Sequence, residues 1–219
     1  MKKILVLIMI LALIFTFAAC GGSKTGEPAA EGEGGIAGGW TRADSPELTE
    51  EQLALFEKAF EGMTGADYIP VAYVASQVVA GTNHLFLVRT APVVQDPVET
   101  YALVSIYEDL DGNAEILEII GSDIQTHMNG MMGGWQQPDS PAVPEDVAAA
   151  FEQAKEGLTG ADCEPIALIG RQIVSGTNYC LLCESTLGTI EPERSYSVMV
   201  IYVDLQGNAE MLESAAFGD

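Results

Sequence analysis

Cys180-Leu181-Leu182-Cys183 has the spacing of a redox or metal-binding motif. It lies in an apolar run that reads as a β-strand, and residues i and i+3 of a strand point to opposite faces. The two thiols cannot meet across that geometry, so apolar packing is their expected role. A Cys163–Cys180 bridge is the alternative in an exported chain, but it would leave one thiol of the mature protein unpaired. Asp109, Asp111, Asn113 and Glu115 alternate like the ligands of a Ca²⁺ loop. Such a loop has twelve residues between helices, whereas these flanks read as strands, so a plain β-turn is expected. The two histidines, His84 and His127, complete no Ser/His/Asp or Cys/His set. The reading is therefore no enzyme, no cofactor and no metal site.

A second kind of chemistry is non-covalent. Gln77-Val78-Val79-Ala80-Gly81 and Gln172-Ile173-Val174-Ser175-Gly176 each put two branched apolar residues and a glycine at a short turn. Neither segment carries a charge, so burying it would desolvate nothing costly. The two segments belong to an internal repeat. Gly38-Gly39-Trp40 recurs as Gly133-Gly134-Trp135, and Asp44-Ser45-Pro46, the Thr-Gly-Ala-Asp at 64–67, the Gly-Thr-Asn at 81–83 and the Gly-Asn-Ala-Glu at 112–115 all recur 95 residues later. Residues 38–124 and 133–219 align without a gap and share 37 of 87 positions. This is a tandem duplication of two units, with a linker at 125–132. The repeat also weakens His84 as a base, since Tyr179 takes its place, while His127 falls in the connector.

The elements that must hold these tips are legible within one unit. Asp44-Ser45-Pro46 offers a helix cap and a first-turn proline. From Leu48 to Met63, Leu53, Phe56, Ala59, Phe60 and Met63 fall at helical spacing, as do Val147, Ala150, Phe151, Ala154 and Leu158 in the second copy. Gly65 ends the helix. Strands follow at 68–79, 82–90, 101–107 and 115–120, joined by turns at Ala80-Gly81 and Asp111-Gly112-Asn113 and by a proline-containing loop at 92–98. A helix followed by a run of strands predicts an α+β unit, one helix on a four- to five-stranded antiparallel sheet. Each unit is expected to carry its own core.

The chain is strongly acidic, with a formal charge of −23 from 9 Lys and Arg against 32 Asp and Glu. Nothing basic is available to neutralise phosphates, which excludes nucleic acid as a partner. The charge is shared almost evenly, −12 in the first unit and −11 in the second, yet 76–84 holds no carboxylate. Lys2 and Lys3 precede the apolar run Ile4–Phe17, which ends in Phe17-Ala18-Ala19-Cys20. This reads as a secretory signal, 1–19. Its last four residues resemble the bacterial lipobox, which implies that Cys20 carries a diacylglycerol and becomes the mature N-terminus. The segment that follows, through residue 37, is mostly Gly, Ala and Glu and reads as a flexible tether. The expectation is an exported, membrane-anchored, outward-facing protein.

Helix, glycines and hairpins together resemble the cystatin family of cysteine-peptidase inhibitors. Both tips fit that family's Gln-x-Val-x-Gly, and Thr82-Asn83 and Thr177-Asn178 extend the match towards stefin-type members. Gly38-Gly39 and Gly133-Gly134 fall where the family keeps an N-terminal glycine. Leu110 and Leu205 fall at the second hairpin, which lacks the Pro-Trp of many secreted cystatins. The resemblance implies two tandem cystatin-like domains, each a wedge of three loops that blocks a papain-like peptidase without being cleaved. The implied contacts are Gly38, Gly39, Gln77, Val78, Val79, Ala80, Gly81 and Leu110, and Gly133, Gly134, Gln172, Ile173, Val174, Ser175, Gly176 and Leu205. Gln77 and Gln172 would brace the hairpins, and Trp40 and Trp135 are expected to cover their own sheets. A monomer is expected. The competing expectation is a non-inhibitory binding or adhesion module on the same fold, gaining avidity from two sites.

Overall fold

The computed structural model describes residues 39–95, 97–125, 134–156, 161–187 and 194–218. The protein is α+β, with two antiparallel sheets and a helix in each repeat. The first repeat runs β1 (Trp40–Arg42), α1 (Glu50–Ala59), β2 (Ala66–Val79), β3 (Gly81–Pro92), β4 (Thr100–Glu108) and β5 (Ala114–Gln125). The second runs α2 (Glu145–Ala154), β6 (Ala161–Val174), β7 (Gly176–Leu187), β8 (Arg194–Val203) and β9 (Ala209–Ala216). Both sheets are meanders, in the orders β1-β2-β3-β4-β5 and β6-β7-β8-β9. Pro70 and Pro165 sit inside long strands without harm. Each faces outward where its strand has no outer neighbour, and the register shifts just beyond it.

The helices are shorter than the apolar spacing suggested. α1 starts from Thr49, not from the Asp44-Ser45-Pro46 turn. Thr49 accepts from the Gln52 amide at 3.2 Å and the Gln52 side chain accepts from the Thr49 amide at 2.9 Å, a complete capping box. Ser45 instead accepts from the Glu47 amide within its own turn. α1 stops at Ala59, ahead of Gly62 and Gly65, which both take positive φ. The buried stripe is Leu55 and Phe56, with Ala59 and Phe60 beside them, while Leu53 and Met63 face solvent. In α2 the expected Val147, Ala150, Phe151 and Ala154 do pack on the sheet, and Leu158 lies outside the described residues. Val147 is the counterpart of Gln52, so the first repeat uses that position for capping and the second for burial.

Each helix covers one face of its own sheet. Leu55 and Phe56 meet Phe86, Val88, Val104 and Ile106. Val147 and Phe151 meet Leu168, Leu181, Cys183, Met199 and Ile201. The other faces of the two sheets are buried against each other. Val71, Ala72, Val74, Ala75, Leu87, Tyr101 and Leu103 form one cluster with Ile166, Ala167, Ile169, Cys180, Leu182, Val198 and Val200. The expectation of a self-contained core per unit is thus corrected: each unit owns one core layer and shares another. The described residues form one compact unit, stacked helix, sheet, sheet, helix. Tyr101 donates across the junction to the Ile169 carbonyl at 3.3 Å, and Arg42 pairs with Glu164 at 2.8 Å.

The cysteines follow the strand geometry. Cys180 points into the inter-sheet cluster and Cys183 towards α2, and Cys163, Cys180 and Cys183 are all free thiols. The hydrogen bond with Cys183 draws the Cys163 thiol down, to about 6, while burial pushes Cys183 up. Another pair shows how the repeats diverged. Arg89 and Glu99 pair at 2.8 Å, and at the equivalent positions Glu184 and Arg194 lie 3.7 Å apart with the signs exchanged.

A shared core predicts cooperative unfolding of the two repeats. Trp40 and Trp135, one from each repeat, both pack against that core, so a Trp40→Phe and a Trp135→Phe variant each leave one reporter. Fluorescence in a denaturant titration is expected to give coincident midpoints once the small stability differences between variants are matched by far-UV circular dichroism. Leu182→Ala, at full burial in the shared layer, is expected to lower both midpoints together, through a loss of about 2–5 kcal/mol of stability. Two separated transitions would contradict a common core.

Candidate functional site

At the end of each sheet, one residue turns β2 into β3 or β6 into β7. Val79 pairs with Gly81 around Ala80, and Val174 pairs with Gly176 around Ser175. So tight a turn needs the positive φ of +133° at Gly81 and +139° at Gly176. A Cβ at Gly81 would overlap the Glu108 carbonyl oxygen and lie 2.8 Å from the Tyr107 ring, and the same holds at Gly176 for Val203 and Tyr202, at 2.7 Å. The glycine's close approach is therefore to its own chain. It lets the tip lie flat on the adjoining strand, where Tyr107 donates to the Ala80 carbonyl and Tyr202 to the Ser175 carbonyl, each at 2.6 Å. These tyrosines escaped the sequence reading, although their identity in both repeats was a signal.

Gln77 and Gln172 brace the hairpins as expected, accepting from the Asn83 and Asn178 side-chain amides at 2.8 Å. Beyond that brace the tips stand free. Val78 is 73% and Ile173 60% exposed, and Val79 and Val174 are also exposed.

The second hairpin lies beside the first, because Thr82 pairs with Glu108 and Thr177 with Val203. Leu110 and Leu205, at 87% and 80%, are the most exposed large apolar residues described. Asp109 holds its turn by accepting from the Asp111 and Asn113 amides, and Asp204 does the same with Gln206 and Asn208. The Asn113 and Asn208 side chains, then the backbone donors, hold both carboxyls below the usual range. Asp109 is thus turned onto its own backbone, as a β-turn requires.

The chain entering each repeat comes to the same end. Trp40 pairs with Gln77, and Gln136 exchanges backbone hydrogen bonds with Arg171 at 2.8 and 2.9 Å. Trp40 and Trp135 pack against the inter-sheet cluster, so they cover their own protein rather than face outward. Gly39 and Gly134, half-buried, sit just before them. Cys20, Gly38 and Gly133 lie outside the described residues. The rest of the expected contact set, Gly39 to Leu110 and Gly134 to Leu205, converges on the loop end of its sheet.

The two loop ends differ in charge. At the first, His84 bridges Tyr73 at 2.8 Å and Glu108 at 3.2 Å, so tertiary pairing brings a carboxylate beside a tip whose own residues are neutral. Leu168, Tyr179 and Val203 replace all three in the second repeat. Gln206 also replaces Asp111, which leaves the second end the less acidic. No protein-family model matches the chain, and no curated protein matches it.

Two measurements test this geometry. Gly81→Ala and Gly176→Ala should each cost more stability than Gly112→Ala, which meets no neighbour within 4 Å. The penalty for the strained φ alone is about 1–2 kcal/mol, and the clash adds to it. Equal losses in chemical denaturation would argue against the tight packing on Tyr107 and Tyr202. His84 sets a pH dependence. Burial, outweighing Glu108, lowers its pKa, so folding favours the neutral ring. Its contribution is intact above the unfolded value near 6.5 and is lost as pH falls towards the folded value. His84→Tyr is expected to shallow the fall in stability between about pH 7 and pH 5; an unchanged slope would contradict this.

Proposed function

We propose that this protein is a reversible inhibitor of papain-like cysteine endopeptidases, built of two tandem cystatin-like domains. The observation that carries the reading is the convergence of three separate segments on the loop end of each sheet. An entering segment preceded by glycine, a strand in the first repeat and a single bridge at Gln136 in the second, lies beside a Gln-x-Val-x-Gly tip and a Leu-tipped second hairpin. Together they put exposed apolar side chains, Val78, Val79 and Leu110 and their counterparts, along one thin edge of an acidic body. Burying a valine or leucine of that rim in a cleft contributes about 1.5–3 kcal/mol. The tip is held by its own tyrosine and glutamine, so little ordering entropy is lost on entry. In this reading the rim acts by occupying the cleft, with no bond made or broken. The lipobox-like Cys20 and the tether support an outward-facing membrane anchor, with Cys20 as the lipid attachment.

The test is inhibition of papain by residues 35–219, the compact unit. Inhibition is expected, with the second loop end at least as potent as the first because it lacks Glu108 and Asp111. Val79→Asp and Val174→Asp change residues exposed at the tips, outside the core clusters. Each should weaken its own end at least about tenfold, from lost burial and a desolvated charge. No inhibition by micromolar protein, or full inhibition by the double variant, would refute the reading. Binding without inhibition would instead identify a surface-binding or adhesion module.

A further inference from the structure

We infer that one chain holds two peptidases at once, because its two loop ends point in opposite directions from a rigid common core. The inference rests on the proposed inhibitory reading, but its geometry comes from the packing of the repeats.

Ser122 and Phe217 are equivalent residues, 95 apart, and they pair with each other in an antiparallel bridge. The Gly218 amide donates to the Gly121 carbonyl alongside at 3.2 Å. Ala72 and Ala167 are likewise 95 apart and line the same small cavity between the sheets. Residues that pair with their own counterparts, or face them across a small gap, lie on or near the approximate two-fold axis that relates the repeats. One such point is on β5 and the other on β2, three strands away in the first sheet. The axis therefore runs across the strands, in the layer between the sheets. A half-turn about a line across the strands reverses their direction, so the loop end of one sheet is turned away from that of the other. The Arg42–Glu164 ion pair agrees with this. Arg42 pairs with Ala75 near the first tip, whereas Glu164 lies near the start of β6, ten residues from Val174.

The spacing follows from the register. The Val78–Thr82 pair is five residues from Ala72–Leu87, and Ala114 is eight residues from Ser122. At about 3.3 Å per residue, each loop end stands about 17–26 Å from the axis, and the two are about 35–50 Å apart. A partner domain of about 200 residues has a radius of gyration of about 17 Å. Two such domains seated on rims that face away from each other extend in opposite directions and do not overlap.

The experiment is stoichiometry by native mass spectrometry and light scattering, using residues 35–219 and papain with its active thiol blocked by a small reagent. At papain concentrations between the intact and the weakened Kd, one chain is expected to take two papain molecules, Val79→Asp and Val174→Asp one each, and the double variant none. If each single variant binds one papain but the unsubstituted protein also saturates at one, the two partners collide and the bivalency is overturned while the inhibitory reading stands. If one single variant binds and the other does not, a single end is active, with the same consequence. If no form binds papain, the inhibitory reading fails and the bivalency falls with it.

Discussion

The burial of one sheet's back against the other's is the constraint on which this structure depends. A helix of ten residues is too narrow to cover both faces of a sheet of four or five strands. The strands carry apolar side chains on both faces, with Phe86 and Val88 under α1 and Leu87 towards the second sheet. Left alone, each repeat would expose a contiguous apolar face, the kind of surface that drives association. Each repeat instead serves as the missing layer of the other. The shared layer makes residues so far apart in the chain one folding unit, and it orients the two loop ends.

That arrangement separates the demands of folding from those of binding. Everything between the sheets and under the helices is fixed by packing, while Val78, Val79 and Leu110 and their counterparts project past the last covered residue. The tips keep their shape without a core beneath them. Three local devices suffice: a glycine with positive φ, a tyrosine hydroxyl on the tip carbonyl, and an amide pair across the hairpin base. Most acidic groups lie on the body, where they favour solubility, while Glu108, Asp109 and Asp111 at the first rim and Asp204 at the second flank the exposed apolar tips.

The repeats keep this geometry while their electrostatics drift. Arg89–Glu99 and Glu184–Arg194 occupy one site with opposite signs, which the position tolerates because either order neutralises the pair. Tyr73, His84 and Glu108 form a polar chain beside the first tip, and apolar or phenolic residues replace it in the second. The two rims thus share a shape and differ in charge, which is the substitution pattern that tunes partner preference without disturbing the backbone.

Much of this was legible in the sequence. The 95-residue offset set the duplication, the turn residues set the strand order, and the glutamine–glycine tips marked the rims. Those signals are local, so they survive without knowledge of the rest of the chain. The helix starts were misread, since a Ser-Pro turn and a Thr-Gln capping box look alike until the backbone chooses between them. The apolar runs Leu85–Val88 and Cys180–Cys183 belong to strands covered on both faces, yet nothing in them names the second cover. That choice, and with it the opposed directions of the rims and the carboxylate of Glu108 beside a neutral tip, belongs to the tertiary structure. It depends on which distant surfaces fit face to face, a property of the assembled sheets that no stretch of residues carries by itself.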